Sequence, residues 1–300
     1  MLGKQKIMLS GLALALVGMP AFAAQSTTTH TGPNGGQTVV EGSSTYDRDS
    51  KSIIWDKTAT GPKGQVSTAH GTKTYDPDSN SVVSSGTYTG PKGHTATSSG
   101  TATYDKDTNT LTKDKTVTGE NGKTATKHSE TVFDRENHTA SNTSTSTGPN
   151  GRTVTGVGSA NYDKDTNTLN WQKTYTGENG KTATTNGSAV YDRENHSATS
   201  TSTRTGFNGL TSTSNGAAVY DPANKKLTRD RLTTRQNGKT SSMHSETLFN
   251  HNKAGRNGNL QRMQVNPIKS PAAGLQSNVL YGSKRAVNHS AGRRGGGRHR

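Results

Sequence analysis

The chain has 300 residues, no cysteine, a formal net charge of +15 and only 25% apolar residues. The missing cysteine excludes a disulfide scaffold, thiolate metal sites and thiol catalysis. A chain this polar does not supply the thick apolar core on which a compact enzyme is built.

The first residues are unlike the rest. Lys4 and Lys6 precede an apolar run from Ile7 to Val17, then Pro20 and Ala21-Phe22-Ala23-Ala24. A basic start, a short apolar run and an Ala-x-Ala end read as a secretory signal over residues 1–23, cut after Ala23. The run is too short to cross about 30 Å of hydrocarbon, so no transmembrane anchor is expected. The mature chain is expected in the periplasm, on the cell surface or outside the cell. Residues 24–30 read as a linker.

Residues 31–262 hold eight repeats of 29 residues without insertion or deletion. Tyr-Asp recurs at Tyr46, Tyr75, Tyr104, Tyr162, Tyr191 and Tyr220, with Phe133 and Phe249 in the two remaining places. Gly35, Gly64, Gly93, Gly122, Gly151, Gly180, Gly209 and Gly238 keep the same step. A weaker 58-residue period lies over the first. Odd repeats carry bulky or basic residues in their second half, such as Ile53-Ile54-Trp55 and Leu227 to Arg231, where even repeats carry small polar ones.

Each repeat reads as two strands and two turns. Ala183, Gly187, Ala189 and Tyr191 share one face at period two, and Leu169, Trp171, Lys173 and Tyr175 share one face of the preceding segment. Pro or Glu, then Asn, then Gly, as in Gly-Pro-Asn-Gly at 148–151, fits a type I turn with a left-handed Gly. The Asp-x-Asp-x-Asn loops after Tyr-Asp can bond their own backbone. Roughly one aromatic per repeat gives a thin apolar layer. The expected fold is therefore all-β, an elongated β-solenoid or long β-meander of two-strand repeats. Strand spacing alone does not separate these from a closed barrel. The eight aromatics are expected to form an internal ladder.

The Gly…Tyr-Asp…Leu pattern, as in Gly158-Ser-Ala-Asn-Tyr-Asp-Lys-Asp-Thr-Asn-Thr-Leu169, resembles the YD repeats of Rhs-type bacterial surface and toxin proteins. The resemblance covers a few positions per repeat along residues 31–250. It implies an extended extracellular β-array.

Residues 251–300 hold ten Lys and Arg and no Asp or Glu, leaving the repeats nearly neutral. The region 263–300 reads as a disordered basic tail. Lys284, Arg285, Arg293, Arg294, Arg298 and Arg300 are its candidate polyanion-binding residues, through counterion release. An anionic envelope or matrix polymer is the expected partner.

Other chemistry finds less support. Asp-x-Asp-x-Asn opens like a calcium loop but lacks the later glycine and bidentate carboxylate, so no cofactor is expected, with structural calcium the one candidate. The acidic pairs recur at each turn, whereas a catalytic pair should occur once. The sequence thus reads as a non-enzymatic surface or matrix component, adhesive through its tail, without a small-molecule substrate and able to self-associate. The alternative is a polysaccharide-binding surface with Trp55 and Trp171 as stacking platforms.

Overall fold

The computed structural model describes residues 23–250. Apart from Ala23, the expected export signal over residues 1–23 lies outside them, as do the end of the eighth repeat and the basic tail with Lys284, Arg285, Arg293, Arg294, Arg298 and Arg300.

The described residues form sixteen strands: β1 Ala23–Thr31, β2 Gln37–Asp47, β3 Ser52–Thr60, β4 Val66–Asp76, β5 Ser81–Thr89, β6 Thr95–Asp105, β7 Thr110–Gly119, β8 Thr124–Asp134, β9 Thr139–Thr147, β10 Thr153–Asp163, β11 Thr168–Gly177, β12 Thr182–Asp192, β13 Ser197–Thr205, β14 Thr211–Asp221, β15 Lys226–Arg235 and β16 Thr240–Asn250. Thr, Val and Tyr dominate them, and these residues fit a pleated, half-buried surface.

Two kinds of turn join the strands. In the first, Gly35 donates its N–H to the Gly32 carbonyl at 3.0 Å and stands at φ +76°, which costs glycine nothing. The other repeats copy this geometry at each of the eight glycines. In the second, the carboxylate of Asp47 accepts the Asp49 N–H at 2.9 Å, and Lys51 closes the turn at φ +51°. Asn80, Asn109 and Asn167 hold the same left-handed place in three further repeats, where asparagine is tolerated.

Every strand pairs antiparallel with its neighbour in sequence, and β16 pairs with β1 from Ala23↔Asn250 to Thr31↔Ser242. The sheet is a closed barrel. At each turn the register is flush, as at Asp47↔Ser52 and Thr60↔Val66, but at the far end of the second pair Ser52 faces Thr74, two residues short of the strand end at Asp76. A slip of two residues per repeat, eight times round, is the stagger that closure of tilted strands requires. Equivalent residues of successive repeats therefore come round at one level.

This corrects the elongated array. A solenoid or meander leaves two strand edges unpaired, whereas closure removes both. It also corrects the linker: residues 24–30 belong to β1, the strand that meets β16 and completes the wall. No strand approaches any strand except its two ladder partners. A sixteen-strand wall is too wide for its side chains to fill, so it encloses an open lumen.

Candidate functional site

The ladder sorts side chains onto two faces, because directly paired residues point the same way and alternate residues point oppositely. Tyr46, Ile53, Ser44, Trp55, Gly42 and Lys57 share one face across β2 and β3. The well-buried residues all lie on that face: Tyr46, Val82, Tyr104, Ala140, Ser144, Ala183 and Ser245. Its glycines show that the wall bends toward it. A Cβ on Gly100 would stand 2.7 Å from the Asp114 carbonyl oxygen, and one on Gly187 would stand 2.7 Å from that of Thr201. Backbone crowds a Cβ in this way only on the concave side. This is the lumen face.

The lumen face carries Lys57, Lys73, Lys113, Lys115, Lys127, Lys173, Arg204, Arg229, Arg231 and Arg235. No Asp or Glu of any strand shares it. The carboxylates Glu41, Asp56, Asp114, Glu130, Asp230 and Glu246 all fall on the outward face, one pleat away. The near-neutral repeats thus have a basic inner face and an outer face that carries the carboxylates.

The 58-residue period arranges these cations. Lys57, Lys115, Lys173 and Arg231 occupy equivalent places on β3, β7, β11 and β15. Four strands are a quarter of the wall, so they form a four-cornered ring. Two residues nearer one mouth, Trp55, Lys113, Trp171 and Arg229 form the next ring. The Trp171 indole lies over Gly187, whose Cβ would meet Trp171 Cε2 at 2.6 Å, and Trp55 lies likewise over Gly71 and Gly86. Lys57 Nζ stands 5.9 Å from the Trp55 ring centre. Lys173 Nζ stands 5.0 Å from that of Tyr175 and donates to Asn142 Oδ1 at 2.9 Å.

The ladder aromatics line the mouth at which Ala23 and Asn250 meet. In three of the four 58-residue units the rings pair edge to face: Tyr104–Phe133, Tyr162–Tyr191 and Tyr220–Phe249, each with ring centres 6.4 Å apart. Tyr104 Oη donates to Asn109 Oδ1 at 3.0 Å and accepts from Arg135 at 2.5 Å. Tyr46 is 6% exposed, but Tyr191 is 39% exposed. Trp55 and Trp171 stand on opposite walls of the lumen rather than on an outer binding face.

At the same rim the turn aspartates hold their own loops together. The Asp49 N–H holds the Asp47 carboxyl below the usual carboxylate range, and the Asn195 side-chain amide does the same for Asp192. Among the described residues no three His, Asp or Glu side chains converge as a metal-binding group.

Sequence reasoning missed the lumen cations. Lys173 was legible on the face of Leu169 and Trp171, but the net charge of the repeats averaged the two faces away. Sorting every charge by strand parity would have found the separation.

No known protein family matches the chain, and no curated protein resembles it. Solved structures do. Two engineered variants of the Rh. blastica porin superpose with a TM-score of 0.50 at 7% identity, over 76% of this chain and 99% of theirs. A third variant gives 0.50 over 77% of this chain. The likeness is one of fold: a porin-type, sixteen-strand closed barrel. It replaces the resemblance to YD-repeat arrays. With that go the adhesive matrix role, the glycan-binding surface, the polymer, glycan and self-association partners, and the exclusions of small solutes and of a membrane-embedded form.

Proposed function

We propose that the protein is a non-enzymatic, porin-like channel of a bacterial outer membrane that admits small anions. One observation carries the reading: an open lumen lined by Lys and Arg with no strand carboxylate facing it. A lumen of one sign focuses the field and concentrates counter-ions within it. The signal-like residues 1–23 support export to the envelope, and the porin fold supports the membrane.

The outer wall sets the conditions for insertion. It is rich in threonine, carries no aromatic residue on any strand, and exposes single aliphatic residues such as Ile54, Val83, Val190 and Val219 near the mouth with the chain ends. Mid-height carboxylates would be costly in hydrocarbon. Most of them are paired: Asp56, Asp114 and Asp230 each accept from His70, His128 or His244 on the next strand at 2.7–2.8 Å, Glu130 lies 3.7 Å from His128 and Glu246 pairs with Lys226.

The test is conductance across planar bilayers in a potassium chloride gradient. Discrete steps with a reversal potential on the chloride side are expected. Absence of steps, with the protein remaining in the aqueous fraction, would overturn the channel.

A further inference from the structure

We propose that Lys113, Lys115 and Lys127 form a binding site for a doubly charged tetrahedral oxyanion on the lumen wall. The proposal rests on the lumen being open to anions, but not on conduction. Lys115 and Lys127 are directly paired across β7 and β8, and Lys113 lies two residues along the same face of β7. Directly opposed like charges destabilise a sheet, with Cβ atoms about 4.5–5.5 Å apart. Yet all three side chains are exposed to the lumen, and none has an ion pair or side-chain hydrogen bond within residues 23–250.

The chain holds an acid within one residue and does not use it. Asp114 sits between Lys113 and Lys115, but strand alternation turns it outward, where His128 binds it at 2.8 Å. On the other flank of Lys115 stands Gly100, where a Cβ would meet the Asp114 carbonyl and Ser84 Oγ at 2.7 and 3.2 Å.

The fold does not demand the repulsion. In the other three quadrants the place of Lys127 is taken by Ala69, Thr185 and Met243, and that of Lys113 by Trp55, Trp171 and Arg229. Only the β7–β8 quadrant gathers three ammonium groups. Each is a compact point charge with three donors. Three such groups at neighbouring places on one face of β7 and β8 match an ion bearing two charges and several acceptor oxygens. Chloride would balance one of the three.

The probe is inorganic phosphate, titrated into the full chain in chloride buffer and read by calorimetry, beside bilayer conductance. Lys127→Thr copies residue 185, and Lys127→Met copies residue 243, so each has a precedent at an equivalent place in the wall. Saturable binding by the parent is expected. Either variant should weaken it by about tenfold or more, as loss of a charged hydrogen-bond partner does. Lys57→Thr removes a lumen cation a quarter-turn away, beyond the screening length, and should shift binding by no more than about twofold. Equal weakening by Lys127→Thr and Lys57→Thr would overturn the site in favour of diffuse lumen charge. So would the absence of saturable binding. Anion-preferring conductance without phosphate binding removes this site and keeps the channel; phosphate binding without conductance does the reverse.

Discussion

The two faces of one wall have opposite chemistry. Inward stand Lys, Arg, glycine and the aromatics; outward stand threonine, the carboxylates and the histidines that bind them. The backbone is shared, and a shift of one residue would exchange the two sets. The inner face is specified by space as well as charge. Trp55 lies flat because Gly71 and Gly86 have no side chains, and the wall bends at Gly100 because nothing stands before the Asp114 carbonyl. The outer face is specified by repetition alone: threonine after threonine, with partners only one strand away. The lesson is that the concave face sets the barrel's closure and the convex face tolerates variation.

The first way to break this contrast is to fill the floor. Gly71→Ala places a Cβ against the Ser85 backbone carbonyl and the Trp55 ring. Overpacking of this kind costs about 1–3 kcal/mol. Gly35→Ala, at φ +76° with nothing within 4 Å, should lose about 1 kcal/mol through backbone strain alone. Urea unfolding of the two variants compares them directly. Equal losses would mean that curvature is not set by the inner glycines.

Charge reversal sharpens the contrast next. Lys115→Glu puts a carboxylate into the lumen and should move the reversal potential toward the cation side. Glu41→Lys changes the net charge as much on the other face and should leave the reversal potential nearly unmoved. The same measurement on both variants separates field inside the lumen from net charge.

Smaller effects follow at the mouth and on the outer face. Tyr104→Phe deletes the bonds to Asn109 and from Arg135 and keeps the ring against Phe133, and should cost about 1 kcal/mol. The double change Asp114→Gln with His128→Asn copies Gln172 and Asn186, which already occupy the equivalent outward places. Exposed pairs contribute about 0–1 kcal/mol, so thermal unfolding should hardly change. A loss beyond that range would show the outer pairs to be structural.

How much of this was legible depends on range. The turns were legible because their causes are local: Gly35 needs a left-handed φ, and Asp47 reaches its own N–H groups two residues on. The strands were legible for the same reason, in the alternation of Leu169, Trp171 and Lys173 against Thr168 and Asn170. Closure was not. It depends on a two-residue slip summed over eight repeats, and no single repeat displays it. Residues 24–30 lacked a second strand in their own repeat, so they read as linker until β16 arrived to pair with them. The lumen was half legible. Its residues recur at period two in the sequence, but net charge is a sum over both faces and hides their separation. Trp55 and Trp171 read as platforms on an outer face because nothing local says which face is concave.

The last contrast is between the two rims, and acid should reveal it. The rim with the chain ends is built on aspartates whose carboxyls lie below the ordinary range, Asp47 through the Asp49 N–H and Asp192 through the Asn195 side chain first of all. The opposite rim is built on glycine geometry, with no carboxylate needed to form the turn at Gly35 or Gly64. A carboxyl whose folded value is depressed contributes stability that is fully present above its unfolded value, near 3.9. That contribution is lost as pH falls through the folded value. Between about pH 5 and 8 these aspartates should therefore change nothing. Below about pH 4 the Asp-turn rim should loosen while the glycine rim holds. Amide hydrogen exchange at Asp49, Asn195 and Asn224, compared with Gly35 and Gly64, reads both rims in one experiment. Asp192→Asn should remove the acid response at its own turn and leave it at Asp47. If the glycine turns open at the same pH as the aspartate turns, the acid is acting on the barrel as a whole, and the two rims are not independent.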